Sequence, residues 1–386
     1  AMETRRDRFR RQLARLAGTA NPREAIEAGF YVPRPASSER LARKVELQPT
    51  AARVLTGPIG SGKSTELLAL AEALNKLPDL WAITVDVSLV HDLADLREGT
   101  LIAAALLASA TALSLSGDLT QGLEAFAYGS TGFRGDGGFE EIIEPGVLTP
   151  PRLKITTPVD NLLRKIHDIV TNLEDRTPVF LFDSLDRVRD TAGFRTVLQM
   201  DARMLVNKGF GVVLTAPIDT LWSDSEALRA LADSWDTLPY EDPAQDPTAR
   251  QFLLDILRRR VDPDMIPETM QHVLLAASGG VVRDLIELAR SAVEEAYLGG
   301  CSVVGPTEVE AAITRLAHAL SLGVGTETIE RLAYVRARRQ IFTMDEPTVR
   351  MLKNRQILEY RDGSRGSYFV PHPVLEPLIL RSAKAS

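Results

Sequence analysis

Three things are scarce in this sequence, and each scarcity excludes something. There is one cysteine, Cys301, in 386 residues, so no disulfide can form within the chain, and a reducing, cytoplasmic setting is expected. No basic stretch followed by an apolar core stands near the start, which argues against a secretory leader. Positive charge is not in excess: 45 Lys and Arg stand against 52 Asp and Glu, a net charge of -7. Polyanions are therefore repelled on average, and any nucleic-acid contact has to be local. Long apolar runs are missing too. The longest uncharged stretch, from Gly99 to Gly117, is diluted by alanine, Ser109, Thr111 and Ser114. It barely reaches the roughly 20 apolar residues that a bilayer requires, so a buried helix is expected there and no membrane partner.

What is present is a 45% hydrophobic content, enough for the cores of about two or three domains. Residues 3–18 set six arginines around Phe9, Leu13 and Leu16 at helical spacing, the pattern of a basic amphipathic helix or a solvated terminal one. From Arg53 onward short apolar runs alternate with helical patterns: strands at 53–56, 81–87, 179–183 and 211–216, and a fifth near 235–240. This is the βαβ rhythm of a parallel sheet with helices on both faces. A Gly- and Pro-rich insertion at about 115–157 separates the second and third strands, long enough to be functional or mobile. After Pro243 only helices are expected, at 247–261, 267–278 and 282–297, which read as a helical lid. The order helix, helix, strand, turn, strand over 328–370 points to a small winged helix. The expected layout is thus a basic arm (1–27), an α/β core of the P-loop type (28–242), a lid (243–325) and a winged-helix domain (326–386).

The chemistry lies in two places. Gly57, Pro58, Ile59, Gly60, Ser61, Gly62, Lys63, Ser64 and Thr65 satisfy G-x-x-x-x-G-K-[ST] directly after a predicted strand and at the start of a predicted helix. Glycines let the backbone amides turn inward around phosphates, and the helix N-terminus favours the negative charge. Lys63 is placed to reach the β- and γ-phosphates of ATP or ADP, and the Ser64 hydroxyl to ligate Mg²⁺. The second place is the run from Pro178 to Arg187, an apolar strand that ends on Asp183. A carboxylate at the C-terminal edge of an open α/β sheet sits where ligands bind, and Asp183 is expected to hold the magnesium. Many ATPases of this kind carry a glutamate immediately afterwards to activate water, but here the position is Ser184. Asp186 is the nearest carboxylate that can act as base; an N-cap or an ion pair with Arg187 is the alternative role. The departure bears on the hydrolysis rate, not on nucleotide binding.

With these motifs the chain resembles the AAA+ superfamily, most closely the origin-recognition initiator ATPases and their bacterial relatives, which overlap in pattern with STAND signalling ATPases. The resemblance covers residues 28–382. It implies that the segment from Phe30 to Pro35 is the adenine side, with Tyr31, Val32 and Pro33 lining the base. It implies a γ-phosphate or water sensor at Thr215, which could equally be a packed strand threonine. The run Gly280-Val-Val-Arg283 matches the family's second sensor, and Arg283 is either that sensor or a surface residue of an amphipathic helix. Arg229, the only arginine between Pro217 and Arg250, stands where an arginine finger would reach a neighbouring subunit, unless residues 223–232 form a plain solvated helix.

Three functions are compatible with this. One is an ATP-driven switch that closes its lid, assembles with copies of itself and engages a protein partner. Another is a DNA-binding regulator using the winged helix, through Arg350, Lys353, Asn354 and Arg355 with Arg365 in the wing, though Asp345, Glu346, Glu359 and Asp362 lie among those residues. The third is a nucleotide-bound scaffold with little turnover.

Overall fold

The computed structural model describes residues 3–17, 22–34, 37–115, 157–173, 175–188, 191–221, 229–362 and 366–385. Most of the insertion at 115–157 and the turn at 363–365 therefore lie outside the described residues. The chain divides into two compact units, one made of residues 38–56 and 66–237 and the other of 1–37, 57–65 and 238–386.

The first unit is built on a five-stranded sheet of β1 (Ala52–Thr56), β2 (Leu80–Asp86), β3 (Thr177–Asp183), β4 (Gly211–Ala216) and β5 (Ser234–Thr237), in the order β2-β3-β4-β1-β5. Every pairing is parallel. β1 and β4 are buried at every position, β3 at all but its ends, and the edge strand β5 is half-buried throughout. That is why the central strands read as continuous apolar runs: both of their faces are covered. β5 stops at Thr237, shorter than the 235–240 expectation.

The helices on this sheet include α4 (Lys63–Leu74), α5 (Thr100–Ala112), α6 (Thr157–Asp168), α7 (Thr191–Val197) and α8 (Arg203–Asn207); α1 to α3 are Arg5–Leu16, Pro22–Glu27 and Ser37–Leu47. The uncharged run is α5, and it lies in the core, with Leu101, Ile102, Ala105 and Leu106 packed with Phe180, Phe182, Phe194 and Phe210. Its N-terminus is capped from a distance: both carboxylate oxygens of Asp201 accept, from the N–H of Gly99 and of Leu101, each at 2.8 Å. Among the described residues no helix is long and apolar enough to cross a membrane.

The second unit holds α9 (Pro247–Arg260), α10 (Glu268–Ser278), α11 (Val282–Leu298) and α12 (Pro306–Ser321), then α13 (Thr326–Arg338), α14 (Glu346–Lys353), the antiparallel pair β6 (Ile357–Asp362) and β7 (Gly366–Pro371), and α15 (Glu376–Ala385). Sequence signals set these borders. Asp246 caps α9 ahead of Pro247, its carboxylate accepting from the Thr248 N–H at 2.7 Å, and Gly279 ends α10 in the left-handed region. α1 belongs to this unit and is packed, not frayed. Phe9, Gln12 and Leu16 are buried. The Arg5 guanidinium donates to the carbonyls of Ala296, Tyr297 and Cys301 at the end of α11, where a cation satisfies orphan carbonyls and complements the helix dipole.

Candidate functional site: a phosphate loop and a sheet edge

β1 runs directly into residues 57–62, and α4 opens at Lys63, so the strand, turn and helix that the G-x-x-x-x-G-K-[ST] motif requires are all present. The turn depends on glycine. Gly60 has φ +85°, and a Cβ there would lie 3.1 Å from Cβ of Arg283 and 3.2 Å from Cγ1 of Val281. Any other residue would be both strained and crowded. Lys63 is only 4% exposed, and its Nζ donates to the carbonyls of Gly57 at 2.8 Å and Pro58 at 2.9 Å. These acceptors are neutral, and a phosphate oxygen outcompetes them for a cation because its bond is charge-assisted on both sides. Pro58 and Ser61 are buried, while Ile59, Gly62, Ser64 and Thr65 are half-buried. The last two lie in the first turn of a twelve-residue helix, where unpaired amides favour an anion.

The loop is held from three sides within its own unit. The Tyr240 hydroxyl donates to the Ile59 carbonyl at 2.6 Å; burial pushes that phenol well above its ordinary pKa, so it stays a neutral donor. The backbone N–H of Arg283 donates to the Gly60 carbonyl at 3.5 Å, which brings the start of α11 against the loop. The third contact comes from Arg34, which lies in the Phe30 to Pro35 segment but had no role expected of it. Its guanidinium donates to the Ser61 carbonyl, to the Pro239 carbonyl at 2.9 Å and to the Glu241 carboxylate at 2.7 Å. It also lies over the Phe252 ring, 5.3 Å from the centroid. Burial raises the pKa of Glu241, an effect that the adjoining Arg34 opposes. The only signal in the sequence was position, one residue beyond Tyr31, Val32 and Pro33.

Those three residues form an extended segment, half-buried at Tyr31 and Val32 and exposed at Pro33. It is fixed by the last turn of α9. Arg259 donates to the carbonyls of Gly29 (3.2 Å) and Tyr31 (2.7 Å), Arg260 donates to that of Phe30 (3.0 Å), and the Phe30 ring meets both Arg15 and Arg260. Burial brings the Arg260 guanidinium down to about 10.

In the other unit, Asp183 ends β3 at the same sheet edge as Thr56, the last residue of β1. Register places Phe182 beside Leu214, so Asp183 and Thr215 are neighbours across β3 and β4, and Thr215 pairs with Leu55. A rival carboxylate, Asp86, pairs with Asp183 in register. It is occupied, accepting from both the N–H (3.0 Å) and the hydroxyl (2.6 Å) of Ser88. Thr215 is fully buried, and its hydroxyl accepts from the Leu185 N–H at 3.1 Å, which props the turn just after Asp183. Within that turn Ser184 adopts φ +71°, is 1% exposed, and its hydroxyl has no hydrogen-bond partner among the described residues. Asp186 is half-buried in the short 3-10 turn that follows, and Arg187 is exposed. Arg229 is exposed; residues 222–228, most of the helix expected around it, lie outside the described residues.

The basic residues expected to face DNA are partly committed elsewhere. Arg355 donates through Nε to the Asp284 carboxylate at 3.0 Å, and Arg350 pairs with Glu346 at 2.7 Å. Lys353 is half-buried, and Arg365 lies outside the described residues.

A parallel α/β sheet whose first strand leads into this loop defines a P-loop NTPase fold, with a carboxylate at the sheet edge and a G-x-x-R turn opening a helix after the sheet. Solved structures similar to it include the ORC2 protein of Aeropyrum pernix in ADPNP–ADP complexes, at 13% identity over 92% of this chain and 97% of that one, with a TM-score of 0.47. The Walker-type ATPase paby2304 of Pyrococcus abyssi is similar at 16% identity over 91% and 96%, TM-score 0.48. The RuvB Holliday junction branch migration motor of Thermotoga maritima is similar at 13% over 89% and 94%, TM-score 0.43. No protein-family profile and no curated protein matches the chain. At these TM-scores and identities the likeness carries no more than the fold, which rests on the sheet order and the loop themselves.

Proposed function

We propose that the chain is an ATP-binding and ATP-hydrolysing switch of the AAA+ type, in which nucleotide at the phosphate loop sets the posture of the helices and the C-terminal module. One connection carries this reading. Tyr240, whose hydroxyl holds the Ile59 carbonyl of the loop, also forms a backbone bridge with Tyr360 of β6. The Tyr360 hydroxyl in turn donates to the Gly279 carbonyl at 2.6 Å, in the turn that leads to Arg283. A change in the loop backbone therefore has a short path to the β6–β7 hairpin.

The residues fit a magnesium nucleotide. The loop amides, Lys63 and the α4 N-terminus would hold the phosphates, and Ser64 and Asp183, each within its own unit, carry oxygens of the kind a magnesium ion takes; that ion would supply charge neutralisation. Asp186 serves as base, Thr215 orders the turn carrying Asp183 to Asp186, and Arg283 supplies positive charge from the start of α11. Arg229, exposed, is proposed as a finger toward a second copy of the chain. Tyr31, Val32 and Pro33 line the base.

The segment from α13 to β7 is proposed to be a winged helix used as a coupling and protein-docking module. Commitment of Arg355 to Asp284 favours that use over duplex DNA. The deciding measurement is calorimetry with MgADP and MgATP: binding is expected for the wild type and lost in Lys63→Ala. Absence of binding to the wild type refutes the reading. Phosphate release abolished in Asp186→Asn supports the base assignment, whereas no release from the wild type leaves a nucleotide-bound scaffold. Light scattering that reports the same mass in ADP and in a non-hydrolysable ATP analogue removes the role given to Arg229.

A further inference from the structure

Arg34 is 4% exposed and spends its donors on three separate stretches of chain. One is the Ser61 carbonyl of the phosphate loop, another the Pro239 carbonyl that follows β5, and the third the carboxylate of Glu241. The Phe252 ring packs against its guanidinium. Glu241 is itself anchored at the G-x-x-R turn. Gly280 has φ +75°, and a Cβ there would come within 1.7 Å of the Glu241 carbonyl oxygen, so the two backbones touch where only glycine fits.

The bond to Ser61 matters because of peptide geometry. The Ser61 C=O and the Gly62 N–H belong to one planar trans peptide, in which the C=O and N–H bonds point in opposite directions. Holding the carbonyl toward Arg34 fixes the Gly62 N–H to face the other way. Arg34 Nη2 lies beside this peptide, 3.8 Å from where a Cβ on Gly62 would be. Gly62 is the residue immediately before Lys63, at the point where the loop enters α4.

Resting on the reading of the loop as a nucleotide site, we propose that Arg34 is a positioning residue for phosphate: through the Ser61 carbonyl it orients the Gly62 amide as a phosphate donor, and through Glu241 it ties that orientation to the G-x-x-R turn. Arg34 does not touch the nucleotide. A planar, forked guanidinium is suited to the task because it serves three acceptors in fixed directions, which a lysine ammonium on a flexible stem does not.

The test uses the full chain, MgADP and inorganic pyrophosphate as probes, and the variants Arg34→Lys, Arg34→Ala and Glu241→Gln. MgADP affinity measured by calorimetry is expected to fall about tenfold in Arg34→Ala, the equivalent of about 1.4 kcal/mol, and by a smaller factor in Arg34→Lys and in Glu241→Gln. Pyrophosphate, which has no base to engage residues 31–33, is expected to lose the same factor. That equality separates positioning of the phosphate donors from disturbance of the neighbouring segment, which would weaken MgADP and spare pyrophosphate. The Gly62 amide resonance, which shifts on MgADP addition in the wild type, is expected to shift less in Arg34→Lys, a variant that keeps a buried cation opposite Glu241 if the alanine variant fails to fold. Affinities for both probes within twofold of wild type in Arg34→Lys, with an unchanged Gly62 shift, overturn the proposal. A wild type that binds neither probe overturns the nucleotide reading instead.

Discussion

Removing the Arg355 side chain is the sharpest test of how the C-terminal module is held to the helix that begins at Val282. Asp284 lies in the first turn of α11 and its side chain is 2% exposed, while that of Arg355 is 20% exposed. Nε of Arg355 is 3.0 Å from Oδ2 of Asp284, and Nε2 of the fully buried His372 lies 3.3 Å from the same oxygen. Arg355→Ala leaves a carboxylate in the interior without its strong donor, which costs about 3 kcal/mol for a pair buried to this degree. Asp284→Ala is expected to cost less, about 1–2 kcal/mol, because the guanidinium left behind is already partly in water and can swing further out. Arg355 has φ +59°, but alanine has the same Cβ and meets the same backbone strain, so that contribution cancels and the difference reports the pair. Urea unfolding of the two single variants and the double variant completes a cycle, with an expected coupling of about 1–2 kcal/mol. Additive effects, or an Arg355→Ala loss below about 0.5 kcal/mol, would show that the pair does not clamp the module, since that is the level of an ordinary surface change.

Other outcomes follow from the sheet edge and the core. Ser184→Gly is expected to stabilise the chain by about 1 kcal/mol in thermal unfolding, since φ +71° strains a serine and its buried hydroxyl bonds to nothing among the described residues; destabilisation would mean that the hydroxyl has a role in folding. Thr215→Val strands the Leu185 N–H that Thr215 accepts and is expected to cost about 1–3 kcal/mol, whereas Thr215→Ser retains most of the stability; equal losses would remove the buttress role. Burial raises the Asp201 carboxyl to about 7, above its unfolded value, so its contribution is fully present below the ordinary carboxylate range and is lost as pH rises toward 7. Denaturation midpoints at pH 5 and 8 should therefore fall with pH in the wild type relative to Asp201→Asn, and a parallel pair of profiles would contradict that assignment. Duplex DNA affinity is expected to be weak; strong binding that falls steeply with salt would restore the DNA reading.

Much of the core was legible because it obeys short-range rules. A parallel strand covered on both faces must be apolar along its length, so β3 and β4 announce themselves, and a strand followed by Gly57 to Thr65 has few other uses. Likewise Gly279 and Gly280 mark a helix end wherever they occur. The absence of charge in Gly99 to Gly117 decided that the run is buried, but not against what; the phenylalanines of β3 and the distant cap from Asp201 did that. Arg34, Tyr240 and Arg355 were not legible, because nothing local distinguishes an arginine that grips a carbonyl 27 residues away in sequence from one that meets water. Local sequence determined the phosphate loop and the strands that carry it. Which side chains hold that loop, and whether a basic residue near α14 faces a partner or the buried Asp284, was decided only when the chain closed and paired groups that burial would not leave alone.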